Sequence, residues 1–334
     1  MTLPKWLAAA TIALPITASA VLAQDYTIKV ASSTANDVIQ VWMDAFKAGI
    51  EENSAGRIAV ELYPANQLGQ VPATIEGVSF GTIEVTVPVS GFFVPMDSRF
   101  EVFDVPSLFG DLKTAQDVLT DPEVAAHIAQ YGNDRGLSPI AAFPHSPMAV
   151  LTVDGVPDID AFKGQRIRAA GPTSLHIEPL TSLGALPTAM PLGEVMPGMQ
   201  NRMVDGLMAG TSVFPALRFH DVATKMTVMP DSYAFATAVA STAFLGGLDD
   251  GLEALVREEA LKATVAANEW NIEAVERGLA NWRESGGEIL EWSDADNAAY
   301  LANVEAHLPG ILEANPALGG EIDYIKAAVA RVSD

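Results

Sequence analysis

The polar group most suggestive of chemistry is an arginine near the end of a short predicted strand. The segment Arg166-Ile167-Arg168 predicts a strand, and its period of two places Arg168 on the same side as Arg166 and opposite Ile167. Small residues follow, and Pro172 marks a helix start. Open α/β sheets bind ligands where strand ends meet helix N-termini, and a planar guanidinium there can hold a carboxylate bidentately. An internal salt bridge is the alternative role, and these residues alone leave both open.

A second motif, Gly77-Val-Ser79-Phe-Gly81, matches the Gly-x-Ser-x-Gly pattern of serine hydrolases. Such a nucleophile elbow requires a strand, a sharp turn and a helix, in that order. The periodicity here predicts a helix over about 70–80 followed by a strand over 82–89, so Gly81 is predicted to end the helix. A secreted serine hydrolase using Ser79 is therefore the alternative function, while we expect the protein not to be an enzyme.

The sequence lacks the patterns of metal and phosphate sites. Its five histidines have no His-x-x-x-His spacing, and His176 and Glu178, two residues apart, would point to different faces of a helix. The segment Ser293-Asp-Ala-Asp-Asn297 lacks the glycine and the distal glutamate of a calcium loop, so we interpret it as a helix N-cap. The chain has no cysteine and no glycine-rich phosphate loop. We expect neither a metal nor a cofactor.

The composition excludes further classes of protein. The chain has 334 residues, of which 49% are hydrophobic, enough for one large domain or two medium ones with a real core. It carries 42 acidic and 19 basic side chains, a formal net charge of −23, and no run of lysine or arginine relieves this charge. Because such a field repels phosphate backbones, nucleic acid is not an expected partner.

The first 23 residues have the pattern of a secretory signal peptide. Lys5 precedes an apolar stretch over 6–22, and Val21-Leu22-Ala23 resembles a small-x-small cleavage site. Pro15 interrupts the stretch, whereas a retained transmembrane helix needs about 20 uninterrupted apolar residues. We therefore expect cleavage after residue 23 and export of the remaining chain.

Beyond this segment, strand and helix patterns alternate in two series. A β-α-β-α-β order over 26–89 favours a mostly parallel sheet with helices on both faces. Asn36 or Asp37 can cap the first helix. Two strand-like runs, separated by Pro144-His-Ser-Pro147, then precede the second series. The predicted strands are 26–31, 57–63, 82–89, 138–143, 148–153, 167–170, 186–190 and 203–208, with helices near 70–80, 173–183 and 193–202.

The C-terminal third is predicted to be helical. Residues 249–285 form one amphipathic pattern, and a helix of that length would be about 54 Å long, which is longer than one small domain. We therefore predict two α/β lobes with this helix running across both and a cleft between them. The first lobe would contain residues 24–145 plus about 231–270, and the second 146–230 plus about 271–334 with the C-terminal helices.

Motifs spread over nearly all of the chain after residue 23 resemble one family. They are Gly56-Arg-Ile58 with Tyr63-Pro64 and Gln67-Leu-Gly69; Gly81-Thr-Ile-Glu84; Phe103-Asp-Val-Pro106-Ser-Leu-Phe109; Gly164-x-x-Ile167-Arg168; Leu183-Gly-Ala185-x-Pro187-x-x-Met190; and Glu194 with Gln200 and Val204-Asp-Gly206. In this order they are similar to the substrate-binding proteins of tripartite ATP-independent periplasmic (TRAP) transporters, the DctP-like family.

The resemblance implies a two-lobe, type II-like periplasmic-binding-protein fold that encloses a small organic acid by hinge bending. It also implies a periplasmic monomer that delivers the ligand to the small and large membrane permease subunits. A binding protein that serves a sensor would have the same pocket. The arginine closing the Gly-x-x-Ile-Arg motif binds the ligand carboxylate in this family, and here it is Arg168.

Three departures from sialic-acid-type members concern the substrate. Their second arginine corresponds to Met148, their asparagine to Ala209, and their pocket aromatic, two residues after the motif methionine Met190, to Leu192. We therefore expect a smaller and less polar carboxylate, or another organic anion, rather than a nine-carbon sugar acid. Further candidates at strand ends and later connections, with core packing as the alternative for the aromatic residues, are Ser33, Thr34, Asn36, Ser90, Gly91, Phe214 and Tyr233.

Overall fold

Nine strands and eleven helices lie within residues 25–333, the part of the chain that the computed structural model describes. The predicted signal peptide, residues 1–23, lies outside these residues. The strands are β1 (Tyr26–Ala31), β2 (Ile58–Tyr63), β3 (Val85–Thr86), β4 (Leu137–Thr152), β5 (Arg166–Ala169), β6 (Leu186–Ala189), β7 (Gly206–Gly210), β8 (Lys225–Ser241) and β9 (Glu288–Leu290). The helices are α1 (Val38–Asn53), α2 (Val71–Ser79), α3 (Leu112–Thr120), α4 (Pro122–Ile128), α5 (Ser174–Ser182), α6 (Leu192–Gln200), α7 (Val213–Ala216), α8 (Thr242–Leu245), α9 (Asp250–Glu284), α10 (Asp294–Ala314) and α11 (Pro316–Ser333).

All nine strands join one mixed sheet in the order β2-β1-β3-β8-β4-β7-β5-β6, with β9 added to β8. The pairs β1–β2, β1–β3, β5–β6, β5–β7 and β8–β9 are parallel, and the pairs involving β4, together with β3–β8, are antiparallel. The two antiparallel strands β4 and β8 are 16 and 17 residues long and pair along both halves of the sheet. The predicted α/β class with a mixed, mostly parallel sheet is confirmed.

The predicted break at Pro144–Pro147 is wrong, because β4 is one continuous strand through these prolines. Its pairing with β8 shifts register between Pro144 and Ser146 and again between Pro147 and Ala149. Proline lacks an N–H donor, and such a bulge is where a strand tolerates this loss. The bulges divide β4 into two halves, one in each lobe.

The predicted strand over 82–89 is shorter in the structure. Only Val85 and Thr86 pair as β3, and Val89 adds an isolated bridge to Ala236. Pro88 lies between the two paired stretches, and its missing N–H interrupts the ladder. The chain then enters a 3₁₀ turn over Ser90–Phe93 at the carboxyl end of β3.

The long predicted helix is present as α9, with 35 residues and a length of about 52 Å. Asp249 caps its start by accepting a hydrogen bond from Leu252. Near its middle, Ala260 accepts a hydrogen bond from Trp42 of α1 in the first lobe. Near its end, Trp282 is fully buried against Phe214 in the second lobe. The prediction of one helix spanning both lobes is confirmed.

The C-terminal helix α11 packs differently from the predicted division. Tyr324 stacks on His127, with ring centroids 3.9 Å apart, and Glu321 contacts the same histidine and Tyr131. The predicted division assigns His127 and Tyr131 to the first lobe and α11 to the second, so these contacts join parts that it separates. The other lobe boundaries stay a prediction. Within residues 25–333, no helix is both long enough and apolar enough to cross a membrane.

Candidate functional site

The carboxyl ends of the parallel strands in one lobe face those in the other. A Cβ added at Gly171, after β5, would lie 2.8 Å from the carbonyl carbon of Gly91, after β3. A Cβ added at Gly193, after β6, would lie 2.7 Å from Nε2 of Gln70, after β2. The backbone approach at Gly171, where φ is +124°, requires glycine, whereas the flexible Gln70 side chain could move away from a Cβ at position 193. These are two of the places where the lobes approach each other, and the loops around them lie at the edge where α/β sheets bind ligands.

Arg168 lies at this boundary and is 2% exposed. Its Nε donates to the carbonyl of Met190 at 2.8 Å, and its Nη1 donates to that of Met208 at 3.0 Å. The Cζ atom lies 5.7 Å from the centroid of the Phe92 ring. No carboxylate among residues 25–333 lies within 4.0 Å of it. Burial lowers the pKa of Arg168 to about 9, so the guanidinium is charged at neutral pH without a paired anion.

Arg166, two residues earlier, has the salt bridge that Arg168 lacks. Its Nε and Nη2 donate to the two carboxylate oxygens of Asp205 at 2.9 and 2.5 Å. Its side chain is 42% exposed. The salt-bridge alternative thus describes Arg166, and Arg168 retains donors for another acceptor.

Four polar side chains near the strand ends have buried atoms without hydrogen-bond partners. They are the hydroxyls of Thr34 and Thr211 and the amide oxygens of Asn66 and Gln70. These residues follow β1, β7 and β2. Buried polar atoms are rarely left unsatisfied, so each needs a water or a ligand to pair with it. Sequence reasoning identified only Thr34, although position after a strand was a signal available for the other three.

A second polar group consists of Asp104 and His176, both missed by sequence reasoning. Oδ1 of Asp104 lies 3.6 Å from Nε2 of His176, while Oδ2 of the aspartate and Nδ1 of the histidine have no hydrogen-bond partner. Burial, with the nearby charge of Glu101, raises the pKa of Asp104 well above its usual range. Burial and the charge of Arg168 lower the pKa of His176 to about 4. Both side chains border a cavity of about 10 Å³, the size of a single water.

The comparison with protein families identifies the chain. The model of the bacterial extracellular solute-binding protein family 7, DctP, matches residues 30–313. The protein belongs to this family.

Relatives and solved structures agree with this assignment. A solute-binding protein of Roseobacter denitrificans is 27% identical over 327 residues, covering 92% of this chain and 96% of that protein. The C4-dicarboxylate-binding periplasmic protein DctP of Rhodobacter capsulatus is 25% identical over 288 residues, 85% of each chain. A crystal structure of a TRAP periplasmic solute-binding protein from Desulfovibrio salexigens, with bound orotic acid, has a TM-score of 0.85. It is 20% identical and covers 92% of this chain and 99% of its own, so it shows the shared fold.

The predicted site residues of this family 7 protein have different surroundings. Met148 borders the small cavity beside His176, as does the half-buried Tyr233. Met190 holds Arg168 through its carbonyl. Ser33 is half-buried, and its carbonyl accepts a hydrogen bond from Asn66. These residues therefore lie at or next to the cleft.

Other predicted residues have structural contacts that account for them. The Ser90 hydroxyl donates to the carbonyl of Phe235 at 3.1 Å. It also lies 2.7 Å from the hydroxyl of Thr237. Phe214 is fully buried against Phe219 and Trp282, so it has the core-packing role that was the alternative to ligand contact. The remaining two predicted residues in the same apolar cluster are Leu192 and Ala209.

Neither Asn36 nor Ser79 is hydrogen-bonded to Arg168 in the described part of the chain. Asn36 is exposed and borders a separate pocket of about 630 Å³ beside α9. Ser79 ends α2, and its hydroxyl donates to the carbonyl of Arg135 at 2.6 Å. The helix-then-strand order around Ser79 is the reverse of a nucleophile elbow. Within the described chain, no histidine is hydrogen-bonded to it and no group of three or more His, Asp or Glu side chains could hold a metal.

A third polar cluster lies at the bulges of β4, where the proposed function places the hinge. Nε2 of His145 lies 3.1 Å from Oδ2 of Asp37, and its Nδ1 lies 3.1 Å from the hydroxyls of Ser146 and Ser212. Asn271 of α9 donates to the carbonyl of His145 at 2.9 Å. Burial alone would raise the pKa of Asp37, but the hydrogen bond and charge of His145 hold it below the usual value. This solute-binding protein therefore links its two lobes and α9 through one histidine.

Proposed function

We propose that this protein captures an organic carboxylate, or a related organic anion, between its lobes and delivers it to the small and large subunits of a TRAP-type permease. Arg168 carries this proposal, because a buried charge without a partner is costly and a ligand carboxylate would offset that cost. The remaining guanidinium donors suit a bidentate carboxylate. The relative from Rhodobacter capsulatus is named for C4-dicarboxylates, and the Desulfovibrio salexigens structure holds orotic acid, which is also a carboxylic acid.

The unpartnered atoms of Thr34, Asn66, Gln70 and Thr211 support the same proposal, because a ligand enclosed between the lobes would supply their hydrogen bonds. Hinge bending along β4 and β8 would close the lobes over the ligand, and the loss of water would strengthen the arginine–carboxylate contact. In this proposal the protein is exported by its signal peptide to the periplasm, acts as a monomer and performs no chemistry on its ligand.

The proposal is tested by identifying the bound acid and removing its arginine. Mass spectrometry of denatured, purified protein identifies a co-purified acid, which is then titrated calorimetrically into ligand-free wild type, Arg168→Lys and Arg166→Lys. A point charge cannot replace the planar guanidinium, so Arg168→Lys should weaken binding by about 2–4 kcal/mol, a factor of about 30 to 1,000. Arg166→Lys, two residues away on the same strand, should retain wild-type affinity.

Two results would contradict the proposal. One is near-wild-type affinity of a correctly folded Arg168→Lys, and the other is tight binding of an uncharged molecule by the wild type. Small-angle scattering gives an independent check on closure, since saturation with the acid should make the protein more compact.

A further inference from the structure

An apolar groove of about 490 Å³ lies at the lobe boundary beside Arg168. Two of the residues that line it also contact this arginine. They are Phe92, whose ring lies under the guanidinium, and Met190, whose carbonyl accepts from Nε. Phe92 and Met190 therefore border both the groove and Arg168, which is itself buried and does not line the groove.

Both lobes contribute to the walls of this groove. Ile75 and Phe80 come from α2 and the residue after it, while Pro172, Ala189 and Pro191 follow or end strands of the second lobe. Phe80 is 72% exposed at the surface, an unusual state for a large aromatic side chain. These are apolar residues on both sides of a cleft that closes on its ligand.

Two interlobe contacts flank the groove. One is the close approach of Gly91 and Gly171, which immediately precede the groove residues Phe92 and Pro172. The other is the approach of Gln70 to Gly193, each two residues from a proline of the groove. Both contacts thus involve residues one or two positions away in sequence from residues that line the groove.

The polar groups of the groove disfavour hydrophilic occupants. Ser79 already donates its hydroxyl to Arg135, and Glu76 adds a negative charge at the rim. A second carboxylate of the ligand would be repelled by Glu76 and by the net charge of −23, and sugar hydroxyls would lose hydrogen bonds to water without replacement. An apolar substituent would instead gain from burial.

We propose that the ligand is a monocarboxylate with a sizeable apolar substituent, aromatic or branched aliphatic, whose carboxylate binds Arg168 and whose substituent fills this groove. The inference rests on the proposed function and specifies the class of its substrate. A volume of about 490 Å³ lies within the range of small-molecule pockets, about 300–1,000 Å³.

Calorimetry on the ligand-free, exported chain tests this class with defined probes. We expect 4-phenylbutyrate to bind at least about tenfold more tightly than succinate or galacturonate, and the uncharged 4-phenylbutanol not to bind. Ala189→Trp should fill the groove and lower the affinity for 4-phenylbutyrate by about tenfold or more. Leu186→Trp is the matched control, because Leu186 is also exposed on β6 but does not line the groove.

The outcomes separate this inference from the proposed function. If succinate or galacturonate binds through Arg168 and 4-phenylbutyrate does not, the proposed function stands and the apolar class is overturned. If none of these acids binds, the apolar class is also overturned, while the co-purified acid decides the proposed function independently. If Ala189→Trp changes the oligomeric state in light scattering and leaves affinity unchanged, the groove is an interface between copies, which overturns the inference.

Discussion

The cluster around His145 and the surroundings of Arg168 differ in how their buried polar groups are paired. At the hinge, His145 has contacts to Asp37 and Ser212 on either side. At the cleft, Arg168 has no carboxylate partner, and the Thr211 hydroxyl has no partner at all among the described residues. Complete pairing stabilises a fold, whereas unpaired buried groups cost free energy until something binds them. The pairing gives the His145 cluster a structural role, whereas the proposed function assigns the unpaired groups near Arg168 to a ligand.

The largest expected effect on stability comes from removing one partner of the Asp37–His145 pair. Asp37 caps α1 by accepting from the backbone N–H of Ile39 and also pairs with His145, and both side chains of that pair are almost fully buried. Asp37→Ala should lower the free energy of unfolding by about 3–5 kcal/mol, because it leaves His145 buried without its partner. Urea unfolding of ligand-free protein measures this. Asp44→Ala, exposed on the same helix, is the control, and a loss below about 1 kcal/mol for Asp37→Ala would refute the structural role.

The next effect concerns His176, beside the anion site. Burial and Arg168 lower its pKa to about 4 from 6.5, so the unfolded chain binds a proton more readily than the folded one. The stability that depends on neutral His176 is complete above pH 6.5 and is lost as the pH falls towards 4. Between pH 7 and pH 5 this loss is about 2 kcal/mol in the wild type and absent in His176→Gln.

Unfolding both proteins in urea at pH 7 and at pH 5 isolates this histidine. Asp104, whose pKa burial raises, lies 3.6 Å from His176, so the same pair of proteins is also compared in an Asp104→Asn background, where that carboxyl no longer titrates. The stability of His176→Gln relative to wild type should improve by about 2 kcal/mol on acidification. A difference that stays the same at both pH values would show that the environment of His176 is not as assigned.

The elements of the fold were predictable where local signals coincide. The first strand was predicted at 26–31, the bounds that β1 has, and the long helix at 249–285 against 250–284 in α9. A clear hydrophobic periodicity marks both segments. The continuity of β4 was not predictable, because it depends on pairing with β8, some 90 residues later in the chain. No local pattern shows which partner strand will accept a run of prolines.

The site was predictable only in part for the same reason. Arg168 has a local signal, since it ends a strand before a helix start. Asp104 and His176 come together only because the two lobes meet, and the chain between them contains the hinge strand β4. Phe92 likewise reaches Arg168 from the opposite lobe. Sequence patterns describe the composition of each lobe edge, whereas the pairing of two edges is a tertiary property.

A smaller effect, opposite in sign to that at the hinge, is expected at the cleft. Arg168→Met replaces a buried, unpaired charge by an apolar side chain, and such replacements are often neutral or stabilising. The lost hydrogen bonds to Met190 and Met208 oppose the gain, so we expect ligand-free protein to become more stable by about 1 kcal/mol. Urea unfolding should show this gain while calorimetry shows loss of ligand binding. Destabilisation by more than about 2 kcal/mol would mean that the guanidinium supports the fold.

The smallest effect is expected at Arg166, on the same strand and the same side as Arg168. Its pair with Asp205 is 42% exposed, and exposed ion pairs contribute about 0–1 kcal/mol because water screens the charges and the side chains lose conformational freedom. Arg166→Met should therefore change the free energy of unfolding less than any of the preceding substitutions and leave ligand affinity unchanged. Urea unfolding and calorimetry on the same preparation measure both quantities. A loss of affinity comparable to that of Arg168→Met would show that both arginines bind the anion. The distinction between a paired structural arginine and an unpaired binding arginine on this strand would then be wrong.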